Sequence, residues 1–328
     1  MLLVVIQGTV ITADNFLQRG FFAVWRLMVE KLIDFLLKSQ NTDGGWGAVP
    51  GKRSQTEATA LAILGLNSVN DKVLAQPLEK GLHWLIEQQR EDGSWPVTTQ
   101  ITESSWSSAF AIVALTVLGG QVPQLQCGAG WLLEQKGRTP GWRESVRYRW
   151  APQTMVNFLN PDLQGWPWVP SSFSWVEPTA HALIALKKLR PFLDDSRARG
   201  RIRQGELLLY DRMCDNGGWN YGNKRVLGEV LPPYPDTTAV TLIALQDRQT
   251  EPANQRSLQA LVRMLEQTHS GLTLSWAIIC SSLYGQESTV WRALLTESYG
   301  RTGFLDEAKS ISLALLALVD ERASVFRV

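Results

Sequence analysis

Apolar positions along this chain fall into two alternating helical textures. In the first, Leu32, Phe35 and Leu36 share one side of a helix, while Glu30, Lys31, Asp34 and Lys38 share the other. The second is small and apolar nearly all round, as from Thr59 to Leu66, Thr179 to Leu186 and Thr238 to Leu245. A helix that is apolar on every side has to be buried, and its frequent alanines let neighbours come close. The alternation predicts amphipathic helices outside and small-residue helices inside. Strand-like runs are almost absent, so the predicted class is all-α.

A phrase links each outer helix to the next inner one: a Gln near the helix end, a tight turn, Gly-x-Trp, then a residue opening the inner helix. Gln40, Gly44-Gly45-Trp46 and Glu57-Ala58-Thr59-Ala60 form one copy; Lys80-Gly81, Trp84-Leu85, Gln89, Gly93-Ser94-Trp95 and Ser108-Ala109 form another. A later copy has Gly217-Gly218-Trp219 followed by Asp236-Thr237-Thr238-Ala239. Other copies are degenerate: Gln135 meets its Gly-Trp only at Gly141-Trp142, Arg212 takes a Gln position, and Gln267 to Gly271 has no Trp. One helix pair cannot bury its own apolar face, so repetition implies a stack of pairs. Six to seven pairs without polar end-capping repeats predict closure into an α/α toroid, an α6/α6 barrel of two concentric rings. The Asp-Gly turns are C-cap signals. Each Trp is expected to lock one repeat onto the next, and each Gln to bond nearby backbone.

Counted from the Thr/Ser-Ala anchors, one slot at the start of successive inner helices holds Glu57, Trp106, Glu177 and Asp236. A toroid gathers these around one mouth. Acidic residues there are also what the helix dipole favours in any first turn, so a structural role and a chemical one both stand. His181 lies four residues after Glu177, one turn deeper on the same face; it is read either as a core residue or as a partner that orients a carboxyl group. The densest aromatic patch is Trp166, Trp168, Phe173 and Trp175, made a rigid loop by Pro167 and Pro170.

The 328 residues are 45% hydrophobic and carry a net charge of +1, which gives no electrostatic reason to expect nucleic acid. No composition shift marks a linker, so the reading is one domain over 28–328 preceded by an extension over 1–27. That extension is either an edge helix or lies ahead of a natural start at Met28. Its aromatic stretch from Phe16 to Trp25, flanked by Arg19 and Arg26, is alternatively a peripheral membrane contact. The opening Met1 to Ile6 is too short to span a bilayer and lacks a basic lead-in. The run Arg197, Arg199, Arg201 and Arg203 is read as a solvated face. Cys127, Cys214 and Cys280 are scattered and odd in number, which suits a reducing cytoplasm. His83, His181 and His269 are far apart, so neither a metal nor any other cofactor is expected.

The segment from Lys80 to Trp95 resembles the QW motif of squalene–hopene cyclases and related class II terpene cyclases, the prenyltransferase and squalene oxidase repeat. The resemblance runs from residue 28 to about 320 and implies an α/α toroid like one of the two barrels of those cyclases. Protein prenyltransferase β subunits and complement thioester domains share that architecture. A full triterpene cyclase is about twice as long, so the second barrel has no counterpart here. The cyclases protonate an alkene through Asp-x-Asp-Asp-Thr-Ala, whose middle Asp is the acid. Aligning Thr238-Ala239 with the motif places Asp236 at that acid, while Tyr234 and Thr237 replace its two flanking Asp residues.

The resemblance implies an isomerase-like enzyme of isoprenoid metabolism that cyclises a linear isoprenoid in an apolar central cavity. In that reading Asp236 is the proton donor and His181 or Tyr234 its tuning partner. Glu57, Trp106, Trp166, Trp168, Phe173, Trp175, Glu177 and Trp219 would contact substrate, because aromatic faces stabilise carbocations. Two other readings stand: a non-catalytic toroid holding a prenyl chain, lipid or partner protein, and a carbohydrate-active α/α barrel using Glu177 and Asp236 as acid and base. Expected partners are an isoprenoid or other apolar small molecule, not nucleic acid, with a location in the cytoplasm or on the inner membrane face.

Overall fold

The computed structural model describes residues 4–6, 9–11, 19–101, 103–139, 141, 146, 159–190, 193, 196–226, 228–320 and 323–328. Trp142 and residues 16–18 lie outside these. The described residues form twelve α-helices in two sets. The outer set is α1 (Arg19–Ser39), α3 (Ala75–Glu87), α5 (Val122–Glu134), α7 (Ser196–Asp211), α9 (Pro252–Leu265) and α11 (Thr289–Thr302). The inner set is α2 (Thr56–Ser68), α4 (Ser107–Val117), α6 (Val176–Lys188), α8 (Pro235–Ala244), α10 (Gly271–Leu283) and α12 (Ala308–Val319). Two short antiparallel hairpins complete the chain, β1 (Val4–Ile6) with β2 (Thr9–Ile11) and β3 (Arg225–Val226) with β4 (Glu229–Val230).

The inner helices pack in chain order, and α12 then packs against α2, which closes the ring. Each inner helix rests on the outer helix that follows it, from α3 on α2 to α11 on α10, and the first helix of the chain, α1, covers the last inner one, α12. The fold is therefore a closed α6/α6 toroid. Buried residues follow the predicted textures: α2 buries every position from Ala58 to Leu66, whereas α3 buries only Gly81, Trp84 and Leu85. Helix α1 runs without a break through Met28, so residues 19–27 continue the first outer helix.

The Gly-x-Trp turns stitch the two rings together. Trp46, Trp95, Trp166 and Trp219 are all buried. Their backbone N–H groups donate to the hydroxyls of Thr59, Ser108, Thr179 and Thr238, each at 2.9 Å. Their indole N–H groups donate to the carbonyls of Leu36, Leu85, Leu132 and Leu209 on outer helices, at 2.6–2.8 Å. Gln40 donates to the Gly44 carbonyl of its own turn and to Pro77 of the next outer helix, at 2.8 and 3.0 Å. Gln89 does the same with Gly93 and Gln124. Three of the four indoles lie flat against a glycine: a Cβ on Gly81 would sit 2.7 Å from Trp46 Cζ3, one on Gly128 2.9 Å from Trp95 Cζ3, and one on Gly205 2.7 Å from Trp166 Cζ3.

In the repeat where a long insertion separates Gln135 from Gly165-Trp166, Arg201 ties the turn together, which corrects the solvated reading for this one arginine, while Arg197, Arg199 and Arg203 are exposed. Its guanidinium donates to the carbonyls of Gln135, Gln164 and Gly165 and lies 3.7 Å from the Trp166 ring. Arg201 is only 5% exposed, and burial pushes its pKa down to about 10.

At the C-terminal ends of the inner helices, residues 323–328 seal the ring. Phe326 is buried with its ring 5.2 Å from that of Trp276. Gln246 donates to the Phe326 carbonyl and accepts from Val328 N. Beside this seal the fully buried Lys187 ammonium meets Glu206 at 2.8 Å and Asp247, while Arg248 forks onto the other Glu206 oxygen. A buried charge set of this kind is tolerable because its partners satisfy one another.

Candidate functional site at the toroid mouth

The six inner helices start at one end of the ring, and their second residues form a single rim. That position is Glu57, Glu177, Asp236, Leu272 and Lys309 in α2, α6, α8, α10 and α12, and Trp106 in the slot just ahead of α4. All six are half-buried. One helical turn deeper, the matching side chains are Leu61, Phe110, His181, Val240, Trp276 and Leu313, and all six are buried. Ring contacts link three of these helices: Phe110 lies 4.5 Å from His181, and His181 6.2 Å from Trp276. The site is thus a cup, with a polar rim above a mostly aromatic and aliphatic floor.

This geometry corrects the expectation of an apolar central cavity. The axis is filled one turn, about 5.4 Å, below the rim by side chains too large to leave a channel. It also sorts the predicted residues. Glu57, Trp106, Glu177 and Asp236 share the rim, as the anchor counting implied. Trp219 and Trp166 are corrected: both are buried and their indole N–H groups are bound to outer-helix carbonyls, so they hold the rings together rather than face a ligand. Trp106 and Trp168 meet edge to face at 5.0 Å. With Trp131 and Trp166 they frame a crevice of only about 10 Å³, space for at most one water. Trp175 and Phe173 are exposed, 37% and 53%, and Phe173 lies 5.6 Å from the Arg138 guanidinium. Tyr234 precedes α8, its backbone N–H bound to the Trp219 carbonyl, and its ring is 4.9 Å from Tyr221.

The rim charges are coupled. Lys309 bridges Glu57 at 2.8 Å. Burial pushes the Glu177 carboxyl up from 4.5 to about 7; Lys309 pulls it back, and the negative charges of Asp236 and Glu57 push it further. Tyr221 is raised by burial and by the charges of Asp236 and Glu177. His181 is lowered from 6.5 to about 3 by burial and by Lys309, so it stays neutral. Neither of its ring nitrogens has a hydrogen-bond partner among the described residues. It is therefore not the tuning partner of Asp236 that the sequence offered. Thr237 Oγ1 is likewise buried without a partner, so it does not bond Asp236.

Lys309 and Leu272 escaped the sequence reading because their repeats lack the Gly-x-Trp and Thr-Ala anchors. The usable signal was the start of an apolar run, Ile311 to Leu318, just after Lys309. Among the described residues, no group of three His, Cys, Asp or Glu side chains could hold a metal ion, and no helix is long and apolar enough to cross a membrane.

Comparison with known proteins shows which folds this geometry is similar to. The model of the squalene-hopene cyclase C-terminal domain matches residues 6–104. No curated protein matches the sequence. The type II terpene cyclase MstE from Scytonema superposes with a TM-score of 0.59 at 14% identity, covering 92% of this chain and 99% of that one. A variant of it in complex with the product merosterolic acid A gives 0.59 at 14%, covering 93% and 98%. An inactive variant of an alpha-1,6-mannanase of Salegentibacter, in complex with alpha-1,6-mannotriose, gives 0.56 at 10%, covering 92% and 99%. The chain has the squalene–hopene cyclase-like α/α toroid fold, and these identities speak to fold alone.

Proposed function

We propose that the protein is a terpene cyclase-like enzyme that delivers a proton to one end of an isoprenoid seated in the cup, with Glu177 as the donor. The observation that carries this reading is the Glu177 carboxyl, held protonated toward neutral pH at the rim of an aromatic floor. Asp236, placed at the acid position by the motif alignment, then serves as the neighbour whose charge helps keep the proton on Glu177. An acid of pKa about 7 is too weak to protonate an unactivated alkene carbon but suits an oxygen, such as that of an epoxide or allylic alcohol. Phe110, Trp276 and Trp106 offer π faces to the positive charge that follows. A cup one turn deep holds the end of a chain, not a folded triterpene. Val24 and Leu27 of α1, 54% and 51% exposed, are candidates for a peripheral membrane contact, tested by vesicle flotation.

The test is incubation with linear isoprenoid alcohols, epoxides and diphosphates, followed by extraction and mass spectrometry. Glu177→Gln is expected to abolish product while the protein stays folded, and Asp236→Asn to move the pH profile toward acid. Turnover retained by Glu177→Gln refutes the assignment.

One observation favours a second reading. A protonated Glu177 facing the Asp236 carboxylate is the acid and base pair that glycoside hydrolysis uses, with Phe173 and Trp175 exposed nearby. Release of sugar from an α-1,6-linked mannan would select it.

A further inference from the structure

The rim charges do not balance. Three carboxyl groups, Glu57, Glu177 and Asp236, face one ammonium, and that ammonium is bonded to Glu57 at 2.8 Å. The groups facing Glu177 are Asp236 from α8 on one side and Glu57 and Lys309 across the mouth, while the slot beside α4 presents the uncharged Trp106. Lys309 also acts on Glu177 from a distance, but its ammonium is bonded to Glu57, so one cation serves three carboxyl groups and the Glu177 and Asp236 half keeps an excess of acceptors. Directly beneath it lies His181, 3% exposed, neutral and with both nitrogens unpartnered. A buried imidazole left without partners costs stability, so its place in the floor needs a reason. Beside the same half of the rim stand the rings of Tyr221 and Tyr234, 4.9 Å apart.

Two carboxyl groups and the lone pair of a neutral imidazole are acceptors, and together they match a group with several N–H donors. Aromatic rings around them attract positive charge. An anion would meet like charge, and a purely apolar chain would leave every one of these acceptors unmet.

We infer that this half of the cup is a binding site for a small organic cation, an ammonium group on a compact apolar or aromatic body. As the ammonium docks, the nearby positive charge favours ionised Glu177, so the carboxyl O–H gives its proton to solvent. One positive charge enters and one proton leaves. The inference goes beyond the proposed function and shares with it only the premise that the cup is the functional site.

Benzylammonium is the probe, with benzyl alcohol and benzoate as neutral and anionic controls, titrated calorimetrically into the full chain at pH 6 and pH 8. Two buffers of different ionisation heat report the proton. Benzylammonium is expected to bind about tenfold tighter at pH 8 than at pH 6, as release of one proton from a group of pKa about 7 requires. It should release a proton at pH 6 and bind at least tenfold more weakly to Asp236→Asn. Glu177→Gln is expected to remove the pH dependence and the proton release. Benzoate binding as tightly as benzylammonium, absence of benzylammonium binding, or affinity untouched by Asp236→Asn would each overturn the inference. These failures would leave a protonated Glu177 visible as a carboxyl band in the infrared difference spectrum of Glu177→Gln. Loss of that band at pH 6 would strike the proposed function instead.

Discussion

Glu177 should make the stability of this protein depend on pH in a direction opposite to that of most carboxylates. Its pKa in the folded protein is about 7 against an ordinary 4.5, so the native state holds the proton across an interval where the unfolded chain has lost it. Stability from this group is fully present below pH 4.5 and is lost as pH rises through 7. At about 1.36 kcal/mol per pH unit, the full interval corresponds to about 3 kcal/mol, or about 2 once partial exposure to solvent is allowed for. Glu177→Gln, which cannot ionise, removes the loss. Urea denaturation followed by tryptophan fluorescence at pH 5, 6, 7 and 8 reads the difference between variant and parent, which cancels the other titrating groups. The variant is expected to lie within about 1 kcal/mol of the parent at pH 5 and to exceed it by about 2–3 kcal/mol at pH 8. A difference that stays flat from pH 5 to 8 would refute the electrostatic picture of the rim and the proton assigned to Glu177.

Other consequences follow from the packing. Gly81→Ala sets a methyl against Ile63 Cγ2 at 2.5 Å and Trp46 at 2.7 Å. Despite a helix-propensity gain of about 1 kcal/mol, it should cost about 1–3 kcal/mol net by thermal melting, and an unchanged melt would mean that the indole does not rest there. Phe326→Ala should cost about 3–5 kcal/mol and admit an apolar dye or xenon to the axis beneath Trp276; neither effect would show if the tail only lies on the surface. Lys187→Met leaves the buried Glu206 with Arg248 alone and Asp247 with Arg190 alone and should cost about 3 kcal/mol, and stability kept at neutral pH would contradict a buried pair.

Much of the site was legible for a physical reason. Residues two positions before each Thr/Ser anchor share a helical phase, and that phase is fixed by the hydroxyl of the anchor accepting the Trp N–H. Counting back from Thr59, Ser108, Thr179 and Thr238 therefore led to Glu57, Trp106, Glu177 and Asp236. The count failed for Leu272 and Lys309, whose repeats keep the helices but not the stitch. It also could not tell which carboxyl carries a raised pKa: the motif pointed to Asp236, whereas burial and three neighbours act on Glu177. The aromatic residues were the least readable. Trp166 and Trp175 stand nine residues apart in one loop, yet one is buried between the rings and the other is exposed.

The chain by itself determined its helices, their sorting into two rings and the turns that join them, because amphipathic period, small-residue runs and Gly-x-Trp turns act over a few residues. Only the tertiary structure decided what the ring encloses. Whether its axis is hollow depends on Phe110, His181 and Trp276 meeting from three separate helices and on Phe326 rising beneath them. Whether Lys309 neutralises the mouth depends on α12 returning to α2 some 250 residues later. Contacts of that span are set by ring closure, and no local pattern encodes the distance between charges that closure brings together.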